Sequence, residues 1–115
     1  MDTKFIFITS QFQGWHRWSK APEKQKFLRY LHRHLFGVKV KIEVFKNDRE
    51  IEYFALKEKI EKSLVWKTIQ RSDESSCEDM ALELLRMLEK KYPTRSIEVE
   101  VNEDGENGSI IKNNL

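Results

Sequence analysis

The chain has 115 residues, of which 39% are hydrophobic and 35% are charged, a size that fits one ordinary domain with a modest core. Its net charge is only +2, from 21 basic and 19 acidic residues. This balance argues against a dedicated nucleic-acid-binding protein, because phosphate binding usually requires a clear basic excess.

The single cysteine, Cys77, excludes an intrachain disulfide and favours a reducing compartment. The sequence contains neither a secretory signal nor the roughly 20-residue apolar run of a membrane-spanning helix. We therefore expect a soluble cytoplasmic protein without membrane contacts.

The first half of the chain predicts two strands separated by a loop. Residues 4–12 are rich in β-branched and aromatic side chains, as strands are. Residues 14–30 predict a loop with a short helix after Pro22, since proline suits the first helical position. Residues 32–45 alternate between apolar and charged side chains from Phe36 onward, which is the two-residue period of a strand with one buried face.

The second half predicts a turn, a returning strand, a helix, a loop, a second helix and a last strand. The turn, strand, helix, loop and last strand are expected at residues 46–50, 50–54, 54–64, 67–76 and 96–102. The second helix is bounded by a capping-box spacing between Ser75 and Glu78 and by Tyr92, which precedes a proline.

Strands grouped around a block of helices predict an α+β fold, with an antiparallel sheet and two helices on one of its faces. We expect one domain over residues 1–115. Its C-terminal tail is expected to be flexible from about residue 104, with a short strand at 109–111.

All three histidines of the chain are candidates for one metal site. His32 and His34 are two residues apart on a predicted strand, so both side chains point to its apolar face. An unpaired polar group on a buried face costs about 1–3 kcal/mol, and a shared zinc ion would satisfy both rings. Catalytic zinc typically has three protein ligands and an open position, and His16 could be the third. Surface histidines, or core histidines with other partners, are the alternative.

Two short motifs contain these histidines: FQGWH at residues 12–16 and LHRH at residues 31–34. They resemble the F-x-x-x-H and L-H-G-H motifs of the 6-pyruvoyltetrahydropterin synthase and 6-carboxytetrahydropterin synthase family, which has the tunnelling fold. The resemblance implies that His16, His32 and His34 bind Zn²⁺. It also implies a homo-oligomer built on trimers, in which short sheets join into a β-barrel with sites at subunit boundaries.

Three further segments extend the resemblance over nearly the whole chain. IEYFALK at 51–57, SSCED at 75–79 and VNED at 101–104 are similar to the family's I-D-F-x-x-L-K, P-T-x-E-N and V-x-E-T. The glutamate of the last motif grips the amidine-like edge of a pterin in the family, so the resemblance implies Glu103 and, in the second motif, Ser76 as ligand-binding residues. Alternation supports Glu103 independently, because this residue continues the apolar face of the last strand.

The family's catalytic residues are not matched in this sequence. Leu28 stands where the family has a catalytic cysteine, four residues before the L-H-G-H histidine. Residues 62–68, including Leu64 and Val65, contain neither member of the family's Asp–His pair. A synthase needs a base that takes a proton from the substrate side chain, so the sequence assigns no catalytic residue and does not predict ordinary synthase activity.

Two functions therefore stay open. One is a zinc-dependent enzyme, lyase-like or hydrolytic, acting on a pterin, deazapurine or nucleotide-like ring, with Glu103, Asp104 or Glu106 as a base near zinc-bound water. The other is a non-catalytic protein that sequesters a purine-like or pterin-like ligand. Cys77 is a further candidate nucleophile, because a helix N-terminus would lower its pKa, although a structural cysteine is the more common reading.

Overall fold

The computed structural model describes residues 2–63 and 74–114. These residues form an open four-stranded sheet in the order β1-β2-β3-β4, with every neighbouring pair antiparallel. The strands are β1 (Lys4–His16), β2 (His32–Val44), β3 (Ile97–Glu103) and β4 (Asn107–Lys112). The α-helices are α1 (Tyr53–Glu61) and α2 (Cys77–Lys91), and a 3₁₀ helix spans Glu23–Arg29. The predicted α+β class with an antiparallel sheet is confirmed.

The core lies between one face of this sheet and the two α-helices. Helix α2 packs on β3 and β4 and α1 packs on β1, each through an apolar stripe at helical spacing. The buried helical residues are Leu56, Ile60, Cys77, Met80, Ala81, Leu84, Leu85 and Leu88. On β2 the buried side chains alternate with partly exposed ones from Phe36 to Val44, as the sequence predicted. At the other end of the same strand face lie His32 and His34.

The strand predicted at residues 50–54 is wrong, because helix α1 already begins at Tyr53. Strand β2 pairs with β1 on one side and β3 on the other, so it has no edge left for a returning hairpin strand. Glu52 instead caps α1, and its carboxylate accepts hydrogen bonds from the backbone N–H groups of Phe54 and Ala55. The helix predicted after Pro22 is present as the 3₁₀ helix.

Helix α2 begins one residue later than its predicted capping box. Its N-cap is Ser76, whose hydroxyl accepts from the Asp79 N–H at 3.0 Å, while the Asp79 carboxylate accepts from the Ser76 N–H at 3.3 Å. The spacing of the motif is as expected, but Ser75 and Glu78 have other partners, described below. The end of the helix before Tyr92 is confirmed, and most of the loop predicted at 67–76 lies outside the described residues.

A tight turn joins β3 to β4. Asp104 and Gly105 both have positive φ, 59° and 73°, as the central residues of a type I′ turn require, and the Glu106 N–H donates to the Glu103 carbonyl at 3.0 Å. The region after residue 104 thus contains a paired strand, which includes the strand predicted at 109–111. None of the helices described here is long and apolar enough to cross a membrane.

Candidate functional site

The pairing of β1 with β2 brings the three histidines together. His16, the last residue of β1, is the Cα partner of His32, and His34 lies two residues further along β2 on the same face. The ring centroids are 4.6 Å (His16–His32), 4.9 Å (His32–His34) and 5.2 Å (His16–His34) apart. Strand β1 extends past its predicted end at residue 12, and this extension carries His16 into the cluster.

Each of the three rings has its Nδ1 atom beside an oxygen acceptor. The contacts are His16 to the Ser75 carbonyl at 3.0 Å, His32 to the Tyr30 carbonyl at 2.8 Å and His34 to Asp104 Oδ2 at 2.8 Å. A carbonyl or an ionised carboxylate can only accept, so Nδ1 is the protonated nitrogen and donates in each pair. In the neutral rings the lone pair is therefore on Nε2, the arrangement found in metal-ligating histidines.

Glu103, on β3, faces the Nε2 atoms of His16 and His34. The pairing of Phe36 with Glu103 sets its position, and its Oε2 atom lies 2.9 Å from His16 Nε2 and 3.5 Å from His34 Nε2. The pKa of the Glu103 carboxyl is lowered, chiefly by its hydrogen bond with His16, while partial burial acts in the opposite direction. Since a neutral Nε2 and a carboxylate oxygen both present lone pairs, the contact requires a cation: a ring proton or a metal ion.

The donor set of this cluster fits zinc. One ligand atom from each of His16, His32, His34 and Glu103 can be chosen so that all four lie within 4.8 Å of one another. Imidazole nitrogen and carboxylate oxygen are ordinary zinc ligands, and the Nδ1 hydrogen bonds supply the outer contacts that usually orient them. His16 is buried, and the other three residues are half-buried.

A cavity of about 480 Å³ adjoins the cluster, large enough for a small ring ligand. The histidine side of the cavity is formed by His16, His32 and Glu103. The remaining lining residues come from the first loop, the start of α2 and the start of β4, and are Arg17, Trp18, Leu28, Glu74, Ser75, Ser76, Cys77, Glu78, Asn107, Gly108 and Ser109. A ligand in this cavity would lie directly beside the candidate metal.

The two predicted ligand-binding residues have different surroundings. Glu103 lines the cavity, with its Oε1 atom accepting from the Asn107 side-chain amide at 3.0 Å. Ser76 also lines the cavity, but its hydroxyl accepts the Asp79 N–H at the start of α2. Ser76 therefore has a structural role as an N-cap whether or not it also contacts a ligand.

Two of the proton-transfer candidates from the sequence, Cys77 and Asp104, are not poised to take up a proton. Burial, reinforced by the negative charges of Glu103 and Glu78, raises the pKa of the Cys77 thiol to about 12, so the expected lowering by the helix N-terminus is wrong. The Asp104 carboxylate is held by His34 and by the Leu35 N–H. Glu106 is exposed.

Leu28, the residue at the family's cysteine position, lines the cavity and offers no proton-transfer group. Leu64 and Val65, near the expected position of the Asp–His pair, lie outside the described residues.

Two carboxylates that line the cavity were not assigned to the site by the sequence analysis. Glu74 Oε1 accepts from the Ser19 N–H at 2.9 Å, and Glu78 Oε1 accepts from the Ser109 hydroxyl at 2.7 Å. Glu78 occupies the glutamate position of the segment similar to P-T-x-E-N, which is the signal that could have identified it. Glu74 belongs to no motif, and only the fold brings it to the cavity.

No protein-family model matches this chain, and no curated protein matches it. Solved structures of other proteins do match the chain. A 6-pyruvoyl tetrahydropterin synthase from Plasmodium vivax superposes with a TM-score of 0.67 at 15% identity, covering 100% of both chains. A variant of the Plasmodium vivax enzyme, altered at a catalytic glutamate, gives 0.68 at 15% identity with 100% of both chains covered.

The Caenorhabditis elegans 6-pyruvoyl tetrahydropterin synthase superposes with a TM-score of 0.66 at 18% identity, covering 99% of this chain and 98% of the nematode chain. These superpositions extend over the complete domain at low sequence identity, which is the level at which a fold is retained while the chemistry of its sites varies. The chain has the fold of the 6-pyruvoyl tetrahydropterin synthases, as its sequence motifs indicated.

Proposed function

We propose that the chain is a zinc-binding, 6-carboxytetrahydropterin synthase-like protein that acts on a pterin, deazapurine or nucleotide-like ring held beside the metal. The observation that carries this proposal is the convergence of three histidines whose Nδ1 atoms are all engaged by oxygen acceptors. In such an arrangement the Nε2 atoms of all three rings can serve as ligands of one cation. The fold of known pterin synthases and the adjoining cavity support the choice of ligand.

In this proposal His16, His32 and His34 hold the zinc ion, and Glu103 binds the ring. When bound, zinc supplies a Lewis acid for oxygen atoms of the ligand. The Glu103 carboxylate accepts hydrogen bonds from the two N–H groups of an amidine-like ring edge, a charge-assisted pair that also fixes the orientation of the ring. Because a carboxylate oxygen of Glu103 lies within 4.8 Å of a ligand atom of each histidine, Glu103 could also help to hold the ion as a fourth ligand.

The metal site is tested by elemental analysis of protein purified without a metal-affinity step. We expect about one zinc per chain in wild-type protein and much less in His16→Ala. Protein that contains no transition metal and takes up no zinc on dialysis would exclude the site.

A second candidate function is capture of the ring without turnover. It is favoured by Leu28 in the cavity and by the high pKa of the Cys77 thiol, since neither side chain can take a proton near neutral pH. The enzymatic reading is favoured by Glu74 and Glu78, because the catalytic glutamate of the Plasmodium vivax enzyme shows that a carboxylate can be catalytic in this fold.

Incubation of the zinc-loaded protein with dihydroneopterin triphosphate separates the two readings. Ring capture predicts saturable binding and recovery of intact ligand, whereas an enzyme predicts pterin products at a rate that falls in Glu74→Gln or Glu78→Gln. Turnover comparable with that of an authentic synthase would refute the capture reading.

A homo-oligomer built on trimers completes the proposal. The sheet is open, with β1 and β4 as its two edges, and long exposed edges are usually covered by pairing with another strand. On β1, Phe7 and Trp15 are 62% and 42% exposed on the face away from the helices, as expected for a surface that an assembly encloses. Light scattering should give a multiple of three chains, and a stable monomer at micromolar concentration would contradict it.

A further inference from the structure

We propose that Asp104 is a positioning residue that fixes the Nδ1–H tautomer of His34 and so presents His34 Nε2 to the metal. This inference rests on the proposed zinc site. Asp104 touches neither the cavity nor the Nε2 side of the cluster; it acts only through the ring of His34, whose Nδ1 lies 2.8 Å from Asp104 Oδ2.

The backbone of the turn holds the Asp104 carboxylate in place. The backbone N–H of Asp104 donates to the Leu35 carbonyl at 2.8 Å, and Asp104 Oδ1 accepts from the Leu35 N–H at 2.8 Å. These two bonds tie the turn to β2 at the residue next to His34. With Oδ1 committed to Leu35, the second oxygen is aimed at His34 Nδ1, although the side chain as a whole is 43% exposed.

His34 differs from the other two histidines in the group that accepts its Nδ1–H hydrogen bond. His16 and His32 donate to backbone carbonyls of Ser75 and Tyr30, which no side-chain substitution removes. His34 depends on a carboxylate, a stronger acceptor that also makes the imidazole more basic as a metal ligand. A single substitution at Asp104 can therefore change the tautomer of His34 while leaving the histidine itself in place.

Aspartate at position 104 departs from the family motif that this segment resembles. The segment VNED has aspartate where the similar family motif V-x-E-T has threonine. A threonine hydroxyl can either donate or accept, so it would not impose one tautomer, whereas an ionised carboxylate accepts only. Aspartate also tolerates the left-handed backbone conformation found here, at φ 59°, which a β-branched threonine adopts at greater cost.

Asp104→Asn separates positioning from a merely structural role in the turn. Asparagine has the same shape and also tolerates positive φ, and its amide oxygen can still accept from the Leu35 N–H. Its NH₂ group would then face His34 and, being a donor, would favour the tautomer with the proton on Nε2. That tautomer cannot bind zinc through Nε2.

The experiment measures two quantities: the zinc affinity, by competition with a chelator, and the ring tautomer in the metal-free protein, by ¹⁵N NMR near pH 8. We expect His34 to carry its proton on Nδ1 in wild type and on Nε2 in Asp104→Asn, with zinc affinity lowered by about 10–100-fold. Glu106→Gln, which removes an exposed acid from the same turn, should change neither quantity. Asp104→Gly keeps the positive φ and supplies no donor, so its affinity should lie between those of wild type and Asp104→Asn.

An Asp104→Asn protein that binds zinc as tightly as wild type, or a wild-type His34 with its proton on Nε2, would overturn the inference. If the asparagine variant does not fold, an undiminished zinc affinity in Asp104→Gly overturns it equally. A wild-type protein that binds no zinc refutes the metal site separately, and the nitrogen spectra still decide whether Asp104 sets the tautomer.

Discussion

His16 and His32 are cross-strand partners at the end of the β1–β2 ladder, with ring centroids 4.6 Å apart and ring planes at 69°. This pairing makes the cluster a property of sheet register: a slip of one residue in β1 would turn His16 to the opposite face. The ladder of Lys4 to His16 against His32 to Val44, fixed by the buried face of both strands, therefore holds two of the proposed ligands at constant separation.

Replacing His32 should abolish the stabilisation of the protein by zinc. A ligand that binds only the folded state stabilises it by an amount that grows with concentration over Kd, so zinc should raise the melting temperature of wild type and leave His32→Ala unchanged. Arg33→Ala is the matched control, because Arg33 is the next residue and lies on the opposite face, over the Trp15 ring. Thermal scans at several zinc concentrations make the comparison, and equal shifts in both variants would argue against His32 as a ligand.

Glu103→Gln should weaken binding of a pterin by about tenfold or more, since hydrogen bonds to charged groups contribute about 1.5–3 kcal/mol each. Glu100→Gln, on the same strand but the opposite face, should bind normally. Calorimetric titration of the zinc-loaded proteins with a pterin gives the dissociation constants of the variants and of wild type, and hence their ratio. Unchanged affinity in Glu103→Gln would remove the ring-binding role, and lost zinc with normal folding would make Glu103 a metal ligand instead.

The Cys77 thiol should react very slowly in the folded protein. With its pKa raised to about 12 by burial and by nearby carboxylates, only about one thiol in ten thousand is ionised at pH 8, compared with a substantial fraction for an ordinary cysteine of pKa about 8.5. A chromogenic disulfide reagent, used before and after unfolding in urea, measures the difference. Rapid modification of the native protein would restore Cys77 as a candidate nucleophile.

Acid should remove a stabilising contact at the opposite end of the sheet from the histidines. The Arg95 guanidinium and the Phe45 N–H lower the pKa of the Glu50 carboxyl to about 2. A lowered folded-state pKa contributes stability above the unfolded value, near 4.5, and this contribution is lost as the pH falls from about 4.5 towards 2.

The urea midpoints of metal-free wild type and Glu50→Gln, measured between pH 6 and pH 3, test this contribution. Wild type should be the more stable protein at pH 6, and the gap between the two should narrow as the pH falls. A gap that is independent of pH would show that the Glu50 charge does not matter.

The sequence predicted the parts of this fold that depend on local periodicity. The alternation from Phe36 to Val44 identified β2 and its buried face. The capping-box spacing and the proline after Tyr92 located the second helix to within one residue at its start. The strand expected at 50–54 failed because pairing is not local: its side chains suit a strand, but β1 and β3 already occupy both edges of β2.

The residues of the candidate site likewise fall into those that the sequence predicted and those that only the fold brings together. His32 and His34 could be paired from their two-residue spacing, and the family motifs added His16 and Glu103. Glu74 could not be found, because only the packing of α2 against the sheet brings its segment to the cavity. The contact between Asp104 and His34 spans 70 residues and depends on a positive φ at Asp104, which no sequence period reveals.

X-ray absorption at the zinc edge of protein loaded with one equivalent of zinc tests the central claim most directly. The account predicts about three imidazole ligands at 2.0–2.1 Å, with one oxygen or nitrogen neighbour completing a four-coordinate site, and loss of imidazole scattering in His16→Ala. A first shell containing sulfur, or one of oxygens with fewer than two imidazoles, would contradict a zinc site built from His16, His32 and His34.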